Sequence, residues 1–239
     1  MNRETILRRL QENGIPGADA LAGQLQTYLS LLLEWNQRMD LTAVLGEEEL
    51  VDRHFLDSLT VLNTGLLDGM QTLIDVGTGA GFPGLVIALA RPDLRVTLLD
   101  SQQKRLNFLQ AVIDATGASN AELIHARAED GARNPELRER FDIACARAVA
   151  PLNVLGEYLL PYVRVGGKML CWKGPGLKDE LEAGRKAAFL LGARLLEPVP
   201  APVAGFDWNH MILPAEKTGK TPKAYPRKAG QPKAKPLGT

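Results

Sequence analysis

The stretch TLIDVGTGAGFPG, residues 72–84, limits what this chain can fold into more than any other part of it. Its first five residues suit a strand, and four glycines follow within eight positions, at Gly77, Gly79, Gly81 and Gly84. A strand that runs straight into such a loop leaves bare backbone where something must pass close by. From Thr72 onward, short β-rich runs alternate with helical stretches: TLIDV, RVTLL at 95–99, ELIHA at 122–126, FDIACA at 141–146 and GKMLCW at 167–172. That alternation predicts an α/β fold, a mostly parallel twisted sheet flanked by helices and Rossmann-like in its connections. Residues 1–70 differ. Leu21, Leu25, Tyr28, Leu32 and Trp35 recur at helical spacing, an earlier helix surrounds Ile6, Leu7 and Leu10, and a third is expected from about Glu47 to Leu62. The expected organisation is an N-terminal helical extension (1–70), an α/β domain (71–216) and a basic tail rich in Pro and Gly (217–239).

In an open parallel sheet, ligands sit beyond the carboxyl ends of the strands at the switch point, where the glycine loop falls. Gly79, Gly81 and Gly84 satisfy G-x-G-x-x-G, and Asp100 ends the second strand at about the distance where an acidic group holds ribose hydroxyls. A nicotinamide-dependent oxidoreductase is therefore one reading. Asp75, two residues before the first glycine, favours another, because an anion there repels a pyrophosphate and welcomes an amino group or a sulfonium. S-adenosylmethionine meets that demand, with Asp75 and Asp100 dividing the work. Pro83 suits the first turn of the helix that follows.

Charge is distributed unevenly. Of the 28 Lys and Arg, seven lie between Lys217 and Thr239, which leaves 21 against all 28 Asp and Glu in residues 1–216. The tail also holds four prolines and three glycines, so it is expected to be mobile and to act either as a solubilising end or as an arm for phosphates, with Tyr225 free to stack. With 45% hydrophobic and 23% charged residues, no apolar run long enough to span a membrane and a polar start, MNRETILRRL, a cytoplasmic globular protein is expected. Cys145 and Cys171 sit in apolar segments, not in a C-x-x-C pair, so neither zinc nor a disulfide is suggested.

LIDVGTGAGFPGL, LLDSQQKRLNFL, HARAED, ARAVAPL, the WKG at 172–174 and the terminal YPRKAG and KPL, with HFLDSL at 54–59 and LTAV at 41–44, together resemble the glucose-inhibited division protein B family. The resemblance implies a class I methyltransferase that uses S-adenosylmethionine to methylate N7 of a guanine in the 530 loop of 16S ribosomal RNA. It implies a monomer whose partner is the small ribosomal subunit. It also places Gly77 and Phe82 in the first cofactor loop, Ala128 and Glu129 beside the adenine, and Arg147 at the cofactor. With the loop and second-strand residues, the expected cofactor set is Asp75, Gly77, Gly79, Gly81, Phe82, Asp100, Ser101, Ala128, Glu129 and Arg147, and the catalytic candidates are Arg147 and Lys173. No metal is expected. Two positions depart from the family pattern: Asp40 stands where Asn is usual, and Asn209 where an arginine commonly precedes the last strand.

The chemistry agrees with what the chain lacks. Guanine N7 carries a lone pair and no proton, so its methylation requires alignment and not a general base. The segment after the fourth strand, Ala146-Arg147-Ala148-Val149, does not resemble the (D/N)PPY of enzymes that methylate exocyclic adenine nitrogen, and Cys145 lies between alanines, not after the proline usual in cytosine-C5 enzymes. For Arg147 and Lys173 the competing reading is an ion pair with Asp142 or Glu129. His54, Asp57 and Ser58 share a helical face but are expected to pack the extension onto the sheet. Lys104 and Arg105 are read as capping a helix or meeting a phosphate. A non-catalytic RNA-binding protein is the remaining alternative.

Overall fold

Five strands pair in parallel in the order β3-β2-β1-β4-β5: β1 (Thr72–Val76), β2 (Arg95–Asp100), β3 (Ala121–His125), β4 (Phe141–Arg147) and β5 (Val163–Lys173). The structure, a computed structural model, describes residues 1–147 and 149–239; Ala148, part of the Ala146–Val149 segment, lies outside them. Among the described residues the sheet has eight strands, completed by β6 (Ala193–Leu195), β7 (Val199–Pro200) and β8 (Met211–Lys217), with β8 antiparallel to β5, β6 and β7. The parallel strands are joined through the helices α5 (Gly84–Ala90), α6 (Gln103–Thr116), α7 (Ala128–Gly131) and α8 (Leu152–Leu159), and α9 (Leu177–Leu190) leads to β6. The expected Rossmann-like sheet is what forms.

Successive strand residues point to opposite faces, and the two cores follow that period. Leu73, Ile143 and Cys145 enter one core with Leu170 and Trp172, while Ile74, Val76, Ala144 and Ala146 enter the other with Met169 and Cys171. α5 and α6 cover the first face, and α8 and α9 the second. The first face takes a further layer, made by α1 (Arg3–Glu12) and α2 (Ala18–Asn36), whose Leu10, Leu25, Tyr28 and Leu32 are wholly buried in that same core. The helical extension is thus a second layer over one side of the sheet.

The third helix is less regular than its sequence suggests. It runs as α3 (Glu47–Leu50), a π-helical turn (Val51–Leu56), α4 (Asp57–Leu59) and a 3-10 turn (Thr60–Asn63). A wide π turn carries more residues than an α turn, so a polar side chain can be offered on a side that a regular helix would keep apolar. Here Phe55 and Leu56 stay in the core, Asp52 is buried against Arg9 at 2.6 Å, and His54 and Asp57 reach the mouth of the sheet.

The tail is ordered, contrary to expectation. Lys217, the last residue of β8, is fully buried and donates to Glu139 Oε1 at 2.9 Å and to the carbonyls of Leu160 and Val163. Burial lowers its pKa and the Glu139 partner opposes that shift. Arg227 grips the fully buried Glu157 through Nη2 at 2.6 Å and Nε at 3.0 and 3.1 Å. Arg138 and Arg133 donate to the carbonyls of Thr221, Tyr225 and Pro226, and Tyr225 is partly buried, not free to stack. Composition misleads here because the tail has little apolar surface of its own. It is held by carboxylates and arginines elsewhere in the chain, and these hydrogen bonds replace the missing core. Arg227→Ala should therefore leave Glu157 buried without its counter-charge and cost about 3 to 5 kcal/mol in urea unfolding, with Glu157→Gln restoring part of it; a loss typical of an exposed pair would contradict this reading.

Candidate active site

A cavity of about 840 Å³ opens beyond the carboxyl ends of β1, β2, β4 and β5, within the size range of small-ligand sites. Its floor is the glycine loop. Gly77 and Gly79 line it with positive φ, 75° and 61°, a conformation that glycine adopts without strain. Gly81 shares the positive φ, at 94°, and both it and Gly84 have a steric reason to be glycine. A Cβ on Gly81 would strike the Tyr28 hydroxyl, and one on Gly84 would lie 2.6 Å from Asp75 Cβ and from Leu98. What passes close to this half of the loop is the protein itself.

Asp75 also departs from expectation. It is fully buried and outside the cavity lining; its Oδ2 accepts from Thr78 Oγ1 at 2.7 Å and from the Gly84 amide at 2.9 Å, and burial raises its pKa to about 6. Those two bonds tie both ends of the loop to β1, and they hold the carboxylate away from any cation in the cavity. Its other oxygen, Oδ1, has no partner among the described residues. Asp100 is the acid that does reach the cavity. Its Oδ2 accepts from the Gly79 amide at 2.9 Å and its Oδ1 from the Gln102 amide at 2.9 Å, so the carboxylate is oriented while keeping acceptor capacity for a diol.

The opposite wall is assembled from distant segments. Phe82 stacks between Tyr28 and His54, with ring centroids 5.7 and 4.7 Å away, and the Arg147 guanidinium lies 5.3 Å above its face. Arg147 donates to Asp57 Oδ2 at 2.7 Å, to the Arg53 carbonyl at 2.8 Å and to His54 Nδ1 at 3.0 Å. Asp57 Oδ1 meets His210 Nδ1 at 2.7 Å, and the Asp57 carbonyl accepts from Trp172 Nε1 at 3.0 Å. Burial alone would raise the pKa of Asp57, but the bonds from His210 and Arg147 outweigh it and hold the group below the usual carboxylate range. Because Arg147 can only donate, His54 Nδ1 must accept, which leaves the ring proton on Nε2, 2.8 Å from Thr42 Oγ1. Asn36 clamps Thr42 in place through both backbone groups. Lys173 pairs with Glu180 at 2.6 Å.

A second cavity, of about 400 Å³, meets the first at Gly77, Ser101 and Val149, and is bounded by Ala128 and Glu129 at the end of β3. The structure therefore brings Gly77, Gly79, Phe82, Asp100, Ser101, Arg147 and Lys173 to the larger space and Ala128 and Glu129 to the smaller, while Asp75 and Gly81 line neither. Arg147 has an ion partner, but it is Asp57, not Asp142 or Glu129; Asp142 instead pairs with Arg164, and Glu129 accepts from the Gly230 amide. Arg105 lines the larger cavity, 3.5 Å from Asp100. Sequence reasoning missed the site roles of Thr42, Asp57 and His210. The HFLDSL motif did contain Asp57, but nothing local indicated that its partners lie on β4 and beside β8. Asp40 and Asn209, the two unusual positions, are exposed, and Asn209 takes a positive φ of 53°, which asparagine tolerates.

Two contiguous cavities suit a two-part ligand. Bare loop backbone and an oriented carboxylate serve one part, and the β3 end serves the other, an arrangement that fits S-adenosylmethionine. No cluster of metal-ligating side chains occurs among the described residues. Sheet order, glycine loop and the acid ending β2 define a Rossmann-like, S-adenosylmethionine-dependent methyltransferase. Solved structures share the fold: an antibiotic-resistance methyltransferase, Kmr, at TM-score 0.50 and 20% identity over 68% of this chain and 94% of that one, and a mutant of MtNAS in complex with S-adenosylmethionine at TM-score 0.53 and 17% identity over 92% and 85%. The family profile described as "GidB: rRNA small subunit methyltransferase G" matches residues 22–201. Proteins named ribosomal RNA small subunit methyltransferase G are 48% identical in Clostridium perfringens (88% of each chain), 45% in Alkaliphilus metalliredigens (95% of each) and 42% in Leuconostoc mesenteroides (99% of this chain, 100% of that one). The chain belongs to the GidB family.

Burial, and then the neighbouring Arg147, lower the His54 pKa from 6.5 to about 4. A histidine depressed in the fold stabilises the protein above its unfolded pKa and loses that contribution as pH falls toward the folded value. About 2 kcal/mol of stability should therefore disappear between pH 6.5 and 4, less than the full shift implies because the ring is partly accessible. Urea midpoints taken across that range should fall less steeply in His54→Gln; an unchanged slope would remove His54 as the cause. Asp57, depressed below its ordinary value, adds a separate loss at lower pH.

Proposed function

We propose that this chain transfers a methyl group from S-adenosylmethionine to N7 of a guanine in the 530 loop of 16S ribosomal RNA. The observation that carries the reading is how Asp57 and His54 on the cavity wall are engaged. Asp57 is held by Arg147 and His210, and His54 Nδ1 is taken by Arg147, so these two groups orient and do not accept a substrate proton. N7 needs no proton removed, whereas an exocyclic amine or a ribose hydroxyl does. Both cysteines are buried with raised thiol pKa values, Cys171 to about 12, which suits core residues and not a nucleophile.

The bound cofactor supplies a sulfonium methyl of high electrophilicity. The chain's part is binding, orientation and exclusion of water. Gly77 and Gly79 admit the cofactor's amino-acid end to the loop, Asp100 and Ser101 hold the ribose, and Ala128 with Glu129 flank the adenine. Arg147 is the catalytic group of this reading; pinned by three partners, it fixes the edge of the cavity that the incoming base meets above Phe82. Lys173 and Arg53 also line the mouth, each paired with a glutamate, Glu180 and Glu49, at 2.6 Å. Five exposed lysines, Lys220, Lys223, Lys228, Lys233 and Lys235, are available for RNA phosphates. No described helix is long and apolar enough to cross a membrane. A cytoplasmic monomer that acts on the small ribosomal subunit completes the proposal.

N7 methylation leaves a cationic purine that borohydride reduces and aniline then cleaves. Small subunits lacking the modification, treated with the protein and S-adenosylmethionine, should gain one cleavage site in the 530 loop. Arg147→Ala should lower the single-turnover rate by roughly 100-fold or more, the scale expected when alignment is lost, while Cys145→Ser and Cys171→Ser keep it. Methyl incorporation without cleavage would leave the enzyme class standing and reject the atom; no incorporation would return the reading to a non-catalytic RNA binder.

A further inference from the structure

The smaller cavity has two sides, and only one belongs to the sheet. Ser101, Ala128 and Glu129 form the first; the second is built by Gly230, Lys233 and Ala234 of the tail. Glu129 is only 4% exposed, and its Oε1 accepts the Gly230 amide at 2.9 Å, so the carboxylate is committed to the tail. Gly230 sits at φ 84°, a conformation that lets the chain turn there and aim its amide at that acid. The short helix α10 (Gln231–Ala234) follows at once. Beyond it, the Leu237 carbonyl accepts from Asn153 at 2.8 Å, and Gly238 lies so tight against the Ala183 carbonyl that a Cβ would collide. Arg227 and Glu157 anchor the segment from the other end. Fastened at both ends, the tail closes a slot that would otherwise be an open shelf.

We propose that residues 230–234 of the tail are a binding element, the outer wall of the subsite for the cofactor's adenosine half. This rests on the S-adenosylmethionine reading above and adds residues that lie outside the glycine-loop sheet. The chemistry is that of a flat, weakly polar ring. Such a ring needs an apolar surface on each face and few polar partners at its edge, and the Ala234 methyl and the Lys233 stem supply apolar surface while the Lys233 ammonium stays in water. Glu129 then acts through the tail as a positioning residue: by accepting from Gly230 it sets the width of the slot.

Calorimetry with S-adenosylhomocysteine and with adenosine, on the full chain and on a chain ended after Lys228, tests this directly. That truncation keeps the Arg227–Glu157 pair, so the fold should survive, as circular dichroism and thermal melting would verify. Affinity for both ligands is expected to fall at least tenfold, by the same factor for each. In the full chain Ala234→Trp should fill the slot and weaken both ligands likewise even if the truncated protein proves unstable, while Thr239→Ala, in the tail but outside the lining, should leave both affinities unchanged. Unchanged binding in Ala234→Trp or in a folded truncated chain would overturn the proposal, as would a loss for S-adenosylhomocysteine with none for adenosine. A full chain that binds neither ligand would instead sink the cofactor reading itself.

Discussion

Asp57 carries a buried negative charge on a short, irregular helix, and a charge taken out of water has to be met by positive or donating groups. Two meet it, Arg147 from the end of β4 and His210 from just before β8, and the Trp172 indole on β5 bonds to the same residue's carbonyl. One residue therefore joins the helical layer to three strands at the edge where the cavity opens. Arg147, held there, is also the donor that sets the His54 tautomer and lies over the face of Phe82. The carboxylate thus anchors one corner of the wall of the site.

The legible and the illegible parts of the chain divide along a physical line. Strands β1, β2 and β4 and the last half of β5 were readable because burial on both faces demands continuous apolar runs, and the glycine loop was readable because positive φ at Gly77, Gly79 and Gly81 demands glycine. Residues implied by family resemblance, Phe82, Ala128, Glu129 and Arg147, and the second-strand residues Asp100 and Ser101 do come to the two cavities. The failures lie where a residue's role depends on which partner claims it, near in the chain or far. Asp75 reads as a ligand for a cation until Thr78 and Gly84 are seen to claim it, and the tail reads as mobile until Glu157, Glu139 and Arg138 are placed beneath it. The irregular turn at Val51–Leu56 belongs to the same group, since its local sequence suits an ordinary helix and the contacts that His54 and the following Asp57 make there are with distant segments.

The glycines of the loop show how one motif serves two masters. Gly77 and Gly79 leave backbone open to the cavity, whereas Gly81 and Gly84 make room for Tyr28 and for the side chains of Asp75 and Leu98. A spacing that looks like a ligand signature is half a packing signature, which is why such a motif alone distinguishes so poorly between ligands.

The order in which the polypeptide is made gives the contact between Asp57 and His210 a further meaning. The two residues are 153 positions apart, and Gly230 reaches Glu129 across 101. Chains emerge from the ribosome N-terminus first and begin to fold as they do, so the helical layer and the parallel strands are available long before His210 or the tail. Until those later segments emerge, Asp57 lacks one of its two side-chain partners and the slot beside Glu129 lacks its outer side. Completion of this site therefore waits on segments made long after the parallel sheet that carries its floor.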